Sequence, residues 1–115
     1  NIAYEQQSGD ALVVWGESSA DLRYRVWSGS WSGEQPIASP VGDIPRWTAV
    51  APDPTTDRIA LGVSTFGNRD IWLAVWDGSA WGSIAAVSTG SPVDVFPGVA
   101  VAFEGSSGEA LARAA

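Results

Sequence analysis

Four of the seven tryptophans in this 115-residue chain stand in pairs across short turns. Trp27 and Trp31 flank Ser28-Gly29-Ser30, and Trp76 and Trp81 flank Asp77-Gly78-Ser79-Ala80. Two indoles on one hairpin make an apolar wall on which the face of a sugar can lie. Trp27, Trp31, Trp76 and Trp81 are therefore the candidate ligand-binding residues, and a glycan is the candidate ligand. The same indoles are natural filler between packed sheets, since a buried Trp hides about 150–250 Å². On that ground Trp15, Trp27, Trp72 and Trp76 read first as packing residues, and Trp47, after Pro45-Arg46, as the opening of a strand. Trp31 and Trp81, each just past a turn, are divided between packing and ligand contact.

Other chemistries are poorly supplied. The chain has no His and no Cys, which removes the commonest general base, the commonest metal ligands and any thiolate nucleophile. No catalytic residue, metal site or cofactor is expected. Paired carboxylates could act as acid and base in glycoside hydrolysis. Nearly all of Asp10, Asp21, Asp53, Asp57, Asp70, Asp77 and Asp94 fall at turn signals, however, where Asp bends and caps the backbone. Pro52-Asp53-Pro54-Thr55-Thr56-Asp57 offers oxygen ligands but lacks the ordered spacing of a calcium loop, so it reads as a turn. Arg23 and Arg25 share a strand face with Trp27 and could stack there or grip a carboxylate. Their counterparts in the second half of the chain, Trp72 and Ala74, could not, and an ion pair is the simpler role.

Composition narrows the partners. Thirteen acidic residues against six arginines give a net charge of −7 and a pI near 4.2, which repels nucleic acid and anionic membrane surfaces. With 45% hydrophobic and 17% charged residues the chain is a folded, soluble domain, and no apolar run approaches a membrane span. The lack of Met and Lys, and Asn1 at the first position, read as a piece of something longer.

What positions the Trp pairs is a repeat. Val26-Trp27-Ser28-Gly29-Ser30 returns as Val75-Trp76-Asp77-Gly78-Ser79, 49 residues on, and Asp21-Leu22 returns as Asp70-Ile71. Ile2-Ala3-Tyr4-Glu5 and Ser8-Gly9-Asp10-Ala11-Leu12 return 99 residues on, as Val101-Ala102-Phe103-Glu104 and Ser107-Gly108-Glu109-Ala110-Leu111. Within each unit apolar residues alternate, as Leu22, Tyr24 and Val26 do against Arg23, Arg25 and Trp27, which is the period of a strand. Turn residues separate eight such runs, near 1–5, 11–17, 22–28, 34–39, 46–51, 58–65, 70–77 and 82–88. The Ala-rich segment 109–115 favours helix locally but aligns with a strand, and is assigned to strand.

Four-stranded antiparallel meanders repeating every 40 to 50 or so residues are the sequence form of β-propeller blades. A β-sandwich would use similar strands but has no reason to repeat at 49. The expected fold is all-β: a first propeller-like blade over 1–45, a second over 46–98, and over 99–115 a repeat of the first blade's opening strands. About two blades plus the start of a third do not close a ring, so closure needs either the remainder of a longer propeller chain or other copies.

The runs Leu22-Arg23-Tyr24-Arg25-Val26-Trp27-Ser28-Gly29-Ser30-Trp31 and Trp72-Leu73-Ala74-Val75-Trp76-Asp77-Gly78-Ser79-Ala80-Trp81 resemble those of large bacterial extracellular repeat proteins of the β-propeller type. That likeness spans nearly the whole chain; those proteins are of unassigned function, and it implies only an extracellular or cell-surface location. A structural or adhesive role is expected because the residues supplied are scaffold, turn and aromatic packing with no convergent polar site. Around the hairpins the chain also resembles the two-blade fucose-binding bacterial lectins. In those lectins a Trp pair walls each sugar site, and an Arg and a Glu clamp the hydroxyls. Trp76 and Trp81 carry the pair over, and Trp27 and Trp31 do so with one residue fewer between them. The clamp does not carry over: its Arg position falls on Val13 and Gly62, and its Glu position on Tyr24 and Leu73. The expectation is a non-catalytic repeat module that self-associates as a ring or filament by blade or strand exchange at its ends. The alternative is a lectin that uses the hairpin Trp pairs.

Overall fold

The computed structural model describes residues 1–89 and 99–103 with their side chains, and the backbone of one further strand over 110–114. All regular structure among these residues is β. β1 (Ile2–Tyr4), β2 (Ala11–Gly16), β3 (Leu22–Trp27) and β4 (Gln35–Ile37) form one antiparallel meander. β5 (Pro45–Pro52), β6 (Ile59–Thr65), β7 (Ile71–Trp76) and β8 (Trp81–Ser88) form a second. β9 (Val99–Phe103) and β10 (Ala110–Ala114) pair antiparallel, and among the described residues no sheet closes on itself. Asp94, Glu104 and Ser107-Gly108-Glu109 lie outside the described residues.

The strands end within two residues of the positions that alternation and turn chemistry predict. β4 is three residues long, as β1 is, and Pro36 inside it has no N–H to give a ladder; such a strand belongs at a sheet edge, where this one lies. The Ala-rich segment becomes β10 despite its helix propensity, since pairing with β9 supplies what local preference does not.

Register fixes which residues share a face. In the first sheet Leu12, Val14, Gly16, Leu22, Tyr24 and Val26 point one way and Ala11, Val13, Trp15, Arg23, Arg25 and Trp27 the other. In the second, Ile59, Leu61, Val63, Trp72, Ala74 and Trp76 share the face that corresponds to Trp27's. The repeat is 49 residues from β3 to β7 but 48 from β2 to β6. Trp27 stands across from Ala11 while Trp76 stands across from Ile59, so the turn before β7 holds one extra residue. A one-residue difference exchanges the faces of a strand. Val13 therefore matches Leu61 in space, and Gly62 matches Val14.

The core lies between the sheets. Ala3, Leu12, Val14 and Leu22 of the first sheet and Ile37 at its edge pack on Ile59, Leu61, Val63, Trp72, Ala74 and Trp76 of the second, all of them buried. The opposite face of the second sheet receives β9. A Cβ placed on Gly62 would lie 2.6 Å from Val99 Cγ2 and 2.9 Å from Val101 Cγ1, closer than real Cβ contacts come. Only glycine lets β9 approach here.

Candidate functional site

The two hairpins that carry the Trp pairs differ by one residue and are locked differently. Gly78, with φ of +101°, and Gly29, with φ of +95°, both take the left-handed conformation their turns require. Asp77 Oδ1 accepts from the backbone amides of Ser79 and Ala80, at 2.8 Å each, and from the Ser79 hydroxyl. These donors, the Ala80 amide first, hold the Asp77 carboxyl below the usual carboxylate range. Ser28 stands at the matching place in the first hairpin, where its amide donates to the Ser30 carbonyl.

Trp27 and Trp31 are open. Their rings meet edge to face at 5.3 Å, and they are 41% and 50% exposed. With Ile2, Tyr4 and Ala11 they line a shallow depression of about 270 Å³. Ile2 and Tyr4 are themselves 52% and 57% exposed, so four large apolar side chains are uncovered on one face. Arg23 and Arg25 share this face; Arg23 Nε is 3.7 Å from the Glu17 carboxylate.

Trp76 and Trp81 are covered from the first sheet. The Tyr24 ring stands edge-on to both, at 5.5 and 5.9 Å, and the two indoles lie 5.6 Å apart. Burial raises the Tyr24 phenol above its ordinary pKa. Trp76 is buried, and its Nε1 donates to Glu5 Oε1 at 2.5 Å, while Ser8 Oγ donates to Glu5 Oε2 at 2.5 Å. Glu5, also buried, thus reaches from the end of β1 to pin the Trp of the next sheet.

The carboxylates of the turns hold backbone. Asp53 accepts from the Thr55 amide and hydroxyl, the Thr56 hydroxyl and Arg58, whose guanidinium lies 2.7 Å away. The Thr55 amide leads in holding the Asp53 carboxyl far below the usual range. Asp57 Oδ1 accepts from the Gln7 and Ser8 amides, so the turn that could have offered oxygens to a cation instead joins the sheets. Asp43 accepts from the amides of Asn68 and Ile44, and Asp21 from that of Ser39. Among the described residues no three acidic side chains converge as a metal ligand set.

At the positions of the lectin clamp, Val13 and Tyr24 point to opposite faces of the first sheet. Gly62 and Leu73 stand directly across from each other in the second, under β9. In the sequence Tyr24 and Gly62 stood out only as positions of the lectin clamp, and Glu5 only as part of the 99-residue echo; their roles in the stacking of the sheets were not foreseen. The echo of Glu5 and the alternation that sets Tyr24 opposite Trp27 were the signals available, and Gly62 gave none before its neighbour β9 was placed. Comparison with protein-family models, curated proteins and solved structures finds no significant match to this chain. Among the described residues no helix is long and apolar enough to cross a membrane.

Proposed function

We propose that this chain is a non-catalytic module of β-propeller-type blades, each four-stranded sheet being one blade, with a structural or adhesive role exercised by joining further blades of its own kind. What supports this most is a stacking relation that occurs twice. The first sheet lays its Leu12/Tyr24 face on the Trp76 face of the second, and the second lays its Gly62 face on β9. The Trp27 face of the first sheet matches the covered Trp76 face but is open, with Ile2, Tyr4, Trp27 and Trp31 exposed. A face-to-face relation that repeats in one direction propagates head to tail, into a ring if the rotation closes and a filament if it does not. An uncovered apolar patch of this kind marks an interaction surface. The likeness to bacterial extracellular repeat proteins favours a place outside the cell or on its surface.

The depression beside Trp27 and Trp31 favours a second reading, a glycan laid on the open Trp pair. Sedimentation equilibrium on the wild type and on Trp31→Ser, with a glycan array on both, separates the two. Assembly requires a mass above 12.0 kDa that rises with concentration, falls in Trp31→Ser and ignores sugars. A monomer that binds a glycan, and loses it in Trp31→Ser, would replace this reading with the lectin. Turnover of a glycoside would replace both.

A further inference from the structure

β1–β2 and β9–β10 are one strand pair twice over. Ile2 stands across from Val13, Ala3 from Leu12 and Tyr4 from Ala11; Val101 stands across from Ala112, Ala102 from Leu111 and Phe103 from Ala110. Every residue is displaced by 99 positions and the register is unchanged. The two copies have different surroundings. β9 fills a seat on the second sheet, with Val99 and Val101 against the Cα of Gly62, and with the Phe103 ring 5.2 Å from Arg58 Cζ. Ile2 and Tyr4, which match Val101 and Phe103, are more than half exposed.

The same seat suits the rest of the open face. By register Leu73 stands in the second sheet where Tyr24 stands in the first. Tyr24 is the side chain that covers the Trp76 and Trp81 pair, so Leu73 is placed to cover a Trp pair in the same way. The β9–β10 pair brings two strands to the seat, whereas the first sheet would bring four and its two indoles.

We propose that the seat over Gly62 is the docking site for the first sheet of a second copy of this chain, and that β9–β10 is an internal placeholder which that copy displaces. This rests on the assembly reading above and gives it a geometry. The incoming Ile2 takes the place of Val101 at Gly62, the incoming Tyr4 takes that of Phe103 beside Arg58, and the incoming Trp27 and Trp31 pack against Leu73. The contact is heterologous, so each copy keeps one open face and one seat, and growth continues until a ring closes. Association is weakened by the fraction of seats that the placeholder occupies, as for any binding-competent state that is only partly populated.

Full-length variants test this by sedimentation equilibrium. Ile2→Asp blocks the open face and leaves the seat; Gly62→Leu blocks the seat and leaves the face; Leu73→Arg blocks the seat a second way if Gly62→Leu does not fold. The expected result is that each variant alone is monomeric at concentrations where the wild type associates, while Ile2→Asp mixed with a seat variant forms a one-to-one dimer that grows no further. Val101→Asp, which loosens the placeholder and spares the seat, should associate about tenfold more tightly. A wild type that associates while the mixture stays monomeric, or a Val101→Asp that associates more weakly, overturns the docking site and leaves assembly standing. Wild type and Val101→Asp that both stay monomeric at every concentration overturn the assembly reading itself.

Discussion

Trp76→Phe tests how the sheets are locked. The indole is 3% exposed and donates at 2.5 Å to Glu5, which is 4% exposed, across the interface between the first and second sheets. A hydrogen bond to a charged group contributes about 1.5–3 kcal/mol, and removing the donor leaves a buried carboxylate oxygen without it. Filling the indole's space incompletely adds about 1 kcal/mol, so the expected loss is roughly 2–4 kcal/mol. Glu5→Gln keeps an acceptor and should lose less, about 1 kcal/mol, as the Ser8 hydroxyl turns to accept from the new amide. The two together should fall short of the sum by about 1–2 kcal/mol, because the residues share one bond. Urea unfolding followed by far-UV circular dichroism reads these values. It should be run dilute enough that association adds nothing to stability. Additivity to within about 0.5 kcal/mol, or a Trp76→Phe loss under about 1 kcal/mol, would refute the view that this bond ties the sheets.

Gly62→Ala puts a Cβ where Val99 and Val101 already stand, so it should destabilise by about 1–3 kcal/mol or release β9, read as faster amide exchange over 99–103 with the second sheet still protected. Tyr24→Ala removes the ring that stands edge-on to Trp76 and Trp81, and should lower stability by about 2–4 kcal/mol and flatten the near-UV dichroism of the Trp pair. Asp43, Asp53 and Asp77 all have folded pKa values below their unfolded ones, held down first by the amides of Asn68, Thr55 and Ala80 respectively. Their contribution is complete above the unfolded carboxyl pKa and is lost as pH falls toward the folded values. The melting temperature should therefore hold from neutral pH to about pH 5 and drop below about pH 4, a drop that Asp53→Asn makes smaller.

The strands were legible because alternation and turn chemistry agree along most of the chain. Leu22, Tyr24 and Val26 mark one face without ambiguity, and Ser28-Gly29-Ser30 and Asp77-Gly78-Ser79-Ala80 can hardly be anything but turns. The faces were harder. The 49-residue echo runs through β3 and β7, where Trp repeats, but the extra residue before β7 shifts β6 against it, and only hydrogen-bond register shows that Gly62 matches Val14. The likeness of the Trp pairs also hid their difference. Nothing in Trp-x-Gly-x-Trp and Trp-Asp-Gly-x-x-Trp says that one pair is open and the other lies under Tyr24, since that depends on which sheet precedes each. Glu5 is a long-range partner, 71 residues from Trp76, and its role follows from stacking alone.

The Trp27 face is the surface on which the proposed assembly depends, and fluorine NMR on chain labelled with 5-fluorotryptophan reads it directly. Seven resonances, assigned by single Trp→Phe substitutions, are followed from dilute to concentrated protein. The expected result is that the signals of Trp27 and Trp31 move with concentration while those of Trp72 and Trp76, already buried within the chain, stay in place. Signals that are all independent of concentration, with Trp27 and Trp31 responding only to an added saccharide, would contradict it.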